Sequence, residues 1–217
     1  MSPALRAVLL GMMGQSGPVE FASAAATTGA GAATDVTLSK PTGVEVGDFV
    51  AVLVPDTLAT ASISTTGGAT WSRSYQAASG NRDGAVLCWK VLTATDVSNA
   101  WVLSHLGALA VAFRYHGYGA LSAAVRSSDA NTSSSLTLSG FGKDVRTYGT
   151  LSFLRAQGSP TAVLPSGFAA RYDQLQGATR IVAADNNGGY VDGASVTWAG
   201  LATGNGSAAF LVEVMGE

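Results

Sequence analysis

Lys40-Pro-Thr-Gly-Val-Glu-Val-Gly-Asp-Phe-Val-Ala-Val-Leu-Val54 reads as a turn that launches a strand. Pro41 fixes φ, and Gly43 and Gly47 permit conformations closed to other residues. Asp48 is a short polar residue at the strand mouth. Phe49 to Val54 is an unbroken apolar run, β-branched at Val50, Val52 and Val54. A short apolar run bounded by turn residues favours a buried strand over a helix. The other strands are expected to cover this one.

Composition supports the same class. Charged residues are 12% of the 217, about half the share usual in soluble domains, and Gly accounts for 27. Low charge with many small residues does not suit disorder. It suits a tightly turned β protein whose surface is Ser, Thr and Gly, part of it covered by other subunits. The net charge of −2 carries no basic stripe, so nucleic acid is not an expected partner. The single Cys88 lies in an apolar strand pattern and reads as a buried, inert thiol. A chain without disulfides fits assembly in a reducing cytoplasm.

The first 33 residues read as an extended arm and linker. The arm carries Leu5, Val8, Leu9, Leu10, Met12 and Met13. This apolar run, about ten residues, is too short to span a bilayer. A secretory signal would place its basic residue before the run, whereas Arg6 lies within it. These six apolar residues are therefore expected to be assembly contacts, docking on a partner subunit or on the chain's own sandwich.

Further along, Leu109, Val111, Phe113 and Tyr115 alternate with Ala108, Ala110, Ala112 and Arg114. Large side chains fall on one face and mostly small ones on the other, so something must pack closely on the small face. Ala120 to Ser127 is expected to form a helical turn or two. The chain then starts again. Leu136-Thr-Leu-Ser139 echoes Val36-Thr-Leu-Ser39, Thr150 to Leu154 falls where Val50 to Val54 did, and Ala208 to Val214 echoes the 109–115 alternation. Two similar halves, 34–117 and 132–215, follow. The expected fold is all-β: a two-sheet antiparallel sandwich, jelly-roll-like, over residues 34–217. Two tandem β domains broken near 118–131 are the alternative.

Motifs for chemistry are sparse. Neither His105 nor His116 is bracketed by a triad motif, and no Gly-x-Ser-x-Gly elbow occurs. Gly204-Asn-Gly-Ser-Ala-Ala209 leads into a strand pattern and so reads as a hairpin turn, not a dinucleotide loop. In Asp185-Asn-Asn-Gly-Gly-Tyr-Val-Asp-Gly193, Asp185, Asn187 and Asp192 are hard oxygen ligands that would suit Ca²⁺, but the closing Glu of an EF-hand is missing. A long hairpin loop with Tyr190 at its tip is favoured. Strand tryptophans belong mainly to the core; Trp101, with Tyr190, is the candidate for a surface-binding loop. No catalytic residue and no cofactor is assigned.

The order of Lys40–Val54, Gly67-Gly-Ala-Thr-Trp71, Ala85-Val-Leu-Cys-Trp-Lys-Val91, Thr95-Asp96 and Leu109-Ala-Val-Ala-Phe-Arg-Tyr-His-Gly117 resembles β-sandwich virion proteins of tailed bacteriophages. These include minor tail, fibre-associated and head-decoration or head-spike proteins, and relatives in gene-transfer particles. Pro165-Ser-Gly-Phe168 and Ala183-Ala-Asp185 look like a continuation of the module. Here Trp71 follows Gly-Gly-Ala-Thr, where the family more often has Pro-Gly-Trp. The resemblance implies a non-enzymatic, oligomeric component of a virion. It would contact other virion proteins through its arm and have no membrane partner. A host-glycan or receptor-binding module on the same fold is the second expectation, and a polysaccharide depolymerase the third.

Overall fold

The computed structural model describes residues 19–28, 35–56, 60–78, 82–104, 109–116, 121–130, 132–141, 147–158, 160–186 and 195–216. In chain order the first half contributes β1 (Glu20–Thr28), β2 (Val36–Thr37), β3 (Phe49–Asp56), β4 (Ser62–Thr65), β5 (Ser72–Ala78) and β6 (Arg82–Val91). A short helix α1 (Ala94–Ser98) follows, then β7 (Trp101–Ser104) and β8 (Leu109–His116). The second half contributes β9 (Leu121–Ala130), β10 (Ser135–Leu138), β11 (Thr147–Gln157), β12 (Ala169–Gln176), β13 (Thr179–Asp185), β14 (Val196–Ala199) and β15 (Ser207–Gly216).

The strands form two antiparallel five-stranded sheets, in the orders β1-β8-β3-β6-β5 and β12-β13-β11-β15-β9. Read from the other end, the second order is β9-β15-β11-β13-β12. It then matches the first strand for strand, so the expected pair of similar halves is a duplication of topology. Each half adds a smaller sheet, β2-β7-β4 in the first and β10-β14 in the second. An isolated bridge from Val163 to Ala199 stands where β4 stands in the first half.

Three cores hold these sheets in four layers. The middle core joins the large sheets: Phe49, Ala51, Leu53, Val111 and Phe113 pack with Leu151, Phe153, Phe210 and Val212. Phe113 lies 5.3 Å from Phe153 and 5.4 Å from Tyr172 between ring centroids. A buried ring of this size contributes about 1.5–3 kcal/mol. The outer cores bind each small sheet to the back of its large one. The two-sheet sandwich read from sequence is thus the central pair of a taller stack.

The stack explains the apolar run at Phe49 to Val54. Phe49, Ala51 and Leu53 enter the middle core, and Val50, Val52 and Val54 enter the first outer core. All six have no exposed surface. A strand covered on both faces has no polar positions to spare. The small face of β8 has the same cause, because Ala110 and Ala112 lie in the outer core beneath β2-β7-β4. Asp48 closes the turn before β3. Its carboxylate accepts from the Glu45 N–H at 2.7 Å and from Arg114 Nε at 2.6 Å, and it meets His116 Nδ1 at 2.8 Å. Gly47, at φ +92°, lets the chain turn while its N–H donates to the Leu92 carbonyl.

Two expectations need correction. Residues 20–28, read as part of an arm and linker, are a strand on the edge of the first large sheet, so the described sandwich includes residues ahead of 34. The expected helical turns at 120–127 are instead β9, paired with β15 from Ser207–Ala130 to Gly216–Leu121. Alanine's helix preference is weak beside a full antiparallel ladder. Between β6 and β7 the chain turns through the short helix α1. The halves are joined laterally where β5 lies against β9, and Gln76 Nε2 donates to Asp129 Oδ1 at 3.1 Å.

Candidate functional site beside Asp96

The densest polar constellation among the described residues surrounds α1. Thr93 is its N-cap, and Thr93 and Asp96 form a reciprocal capping box. Asp96 is completely buried. Its Oδ2 accepts from the Thr93 N–H at 2.8 Å and the Thr93 hydroxyl at 2.6 Å. Its Oδ1 accepts from Thr65 Oγ1 at 2.5 Å and Lys90 Nζ at 2.8 Å. Burial alone would raise the Asp96 pKa; the hydrogen bonds from Lys90, Thr65 and Thr93 outweigh it and bring the value to about 2.

Aromatic residues and a second lysine complete the node. Trp71 Nε1 donates to Thr65 Oγ1 at 3.1 Å, and Trp101 Nε1 donates to the Asp96 carbonyl at 2.8 Å. The two indoles meet edge to face, 5.0 Å apart. Lys40 Nζ donates to the Asp96 and Val97 carbonyls and sits 5.0 Å from the Trp101 ring centre. Burial lowers the Lys40 pKa against the opposing pull of Asp96. The node therefore ties β4, β6 and the start of α1 to the Asp96 carboxylate, and the 40–48 turn and β7 to its backbone carbonyl.

A groove of about 390 Å³ adjoins this node where β5 begins and β6 ends. Phe49, Thr70, Ser72, Trp89, Lys90 and Val91 line it, and Ala123 of β9 brings in the second half. Lys90 belongs to both features, since its ammonium also donates to the Ala69 carbonyl at 3.2 Å. Trp71, Trp101 and Trp198 are buried and donate their indole N–H to protein acceptors. Trp89 differs. It is only half-buried, and its N–H makes no hydrogen bond among the described residues.

The residues singled out from sequence fare unevenly. Trp101 is fully buried with its N–H engaged, which removes it from any surface-binding loop. Asp185 is also buried, and Arg171 grips its carboxylate through Nε at 2.8 Å and Nη2 at 3.0 Å. That bidentate pair engages both carboxylate oxygens and ties β13 to β12, the use made of Asp185 among the described residues. Its proposed co-ligands Asn187 and Asp192, and Tyr190, lie outside the described residues. So do Leu5, Val8, Leu9, Leu10, Met12 and Met13. No group of three or more His, Cys, Asp or Glu side chains suited to a metal occurs among the described residues.

Sequence reading missed Asp96 and Trp89. The Thr93-x-x-Asp96 spacing is a capping-box signature and was available as a signal. Trp89 alternates with Leu87 and Val91, a pattern that says core and conceals the open position. Comparisons of the chain with family models, curated proteins and solved structures returned no match.

Proposed function

We propose that this chain is a structural component of a phage or phage-like particle, acting through contacts between subunits. The observation that carries the reading is the use made of its buried acids. Asp48, Asp96 and Asp185 each spend their oxygens on joining strands, turns and caps. They build a duplicated β stack. The resemblance of Lys40–Val54 and the later motifs to tailed-phage sandwich proteins supplies the setting, which would be the virion. The apolar residues Leu5, Val8, Leu9, Leu10, Met12 and Met13 supply a docking arm ahead of β1. A symmetric homo-oligomer would suit a chain with so little surface charge.

The test is the particle itself. Particles purified from cells that make this chain should contain it at a fixed copy number, locatable by electron microscopy. A chain lacking residues 1–18 should keep its β-sheet circular dichroism yet be missing from the particles. A chain found only free in the lysate, or normal incorporation of the truncated form, would overturn the reading.

A further inference from the structure

We propose that the groove beside Trp89 is a binding site for a neutral saccharide. A sugar ring presents an apolar C–H face and a rim of hydroxyls. An aromatic side chain with nearby hydrogen-bonding groups is the matching surface. The groove supplies these from unengaged groups. Thr70 and Ser72 are exposed residues whose hydroxyls make no hydrogen bond among the described residues, and the Trp89 N–H makes none there either. At about 390 Å³ the space is near the lower end of the range for ligand pockets, which suits one or two rings.

Charge decides the ligand class. Lys90 is the charged side chain among the described lining residues, and Asp96 holds its ammonium at 2.8 Å. The groove thus has no uncompensated cation to offer a phosphate, sulfate or sialic acid. It is also held in shape before any ligand arrives. The Trp71 N–H donates to the Ile63 carbonyl at 3.0 Å, its indole is tied through Thr65 to Asp96, and Lys90 pins Ala69. Ordering residues 69–72 therefore adds little to the cost of binding.

The second half shows that the fold does not demand this opening. Val91 and Asp185 are the last paired residues of β6 and β13, opposite Phe49 and Leu151. At that end the second half carries the Arg171–Asp185 ion pair, where the first half carries the groove.

Titrating the purified full chain tests the proposal independently of whether it belongs to a particle. The probes are maltohexaose, cellohexaose, mannohexaose and chitohexaose, with sialyllactose as the charged comparison. Binding is read by calorimetry and by tryptophan emission. At least one neutral probe should bind and shift the emission. Trp89→Ala should weaken it roughly tenfold or more, as loss of a central aromatic anchor does. Ser72→Tyr, at an exposed position, should fill the groove and weaken binding similarly without moving the unfolding midpoint. No binding of any neutral probe at millimolar concentration would overturn the proposal. So would binding that survives both substitutions, or preference for sialyllactose.

Discussion

Lys90 and Asp96 lie six positions apart in sequence and 2.8 Å apart in space, with no exposed surface on the carboxylate. Burying one partner of an ion pair so completely makes its removal costly, because the other is left uncompensated. Asp96→Ala should lower the stability of the fold by about 3–5 kcal/mol in urea unfolding. Adding Lys90→Met to that variant should recover part of the loss. A change below about 1 kcal/mol would mean that the node is not holding the outer layer.

The same carboxylate sets an acid limit. Its pKa falls from an ordinary 3.8 in the unfolded chain to about 2 in the folded one. A group depressed by folding stabilises above its unfolded value and ceases to do so as pH falls through the folded value. The Asp96 contribution, on the order of 2 kcal/mol, should be present above about pH 4 and vanish by about pH 2. Stability curves of the native chain and Asp96→Asn should therefore converge across that window. Parallel curves would contradict the assignment.

Cys88 should be silent in the folded protein. It has no exposed surface, and burial pushes its thiol up to about 12 against smaller opposing effects of the Ile63 backbone and Arg73. Neither access nor thiolate is available. A disulfide reagent should label it only in denaturant, at a rate set by unfolding. Rapid labelling in native buffer would show that the first outer core opens locally.

Gly200 should tolerate no side chain. It has φ +70°, and a Cβ there would collide with the Thr161 carbonyl oxygen. That approach is the one that lets Val163 bridge to Ala199 beside β14. Gly200→Ala should cost about 1–3 kcal/mol, combining backbone strain with overpacking. An unchanged melting temperature would place the 161–163 segment outside the cooperative unit.

The legibility of the fold in the sequence follows side-chain size. Phe49 to Val54 and the Leu109–Tyr115 alternation identified the central strands, because large residues leave a periodic trace. The order of the echoes from Val36 and Leu136 onward identified the two halves. β1 and β9 escaped notice because Ala, Ser and Thr dominate them. Their strand character comes from β8 and β15, which supply the ladders. The outer layers escaped for a different reason. The short strands were visible, but nothing in a four-residue strand says which neighbour it will pair with. At the site, Thr93 and Asp96 carried a local signature, whereas Lys40, Thr65 and Lys90 reach Asp96 only once the sheets are stacked. Trp89 looked like core because its alternation is that of core. It is left half-open because the β5 ladder begins at Ser72, opposite Trp89, and leaves the end of β6 uncovered.

The matching strand orders carry a consequence for how such a chain holds together. Either half alone would present its five-strand apolar face to water and would have to find a second molecule to cover it. Joining the halves in one polypeptide turns that encounter into an internal event, governed by tether length and not by how many molecules are present. A chain built this way closes that seam by itself and can persist as a folded monomer at low abundance.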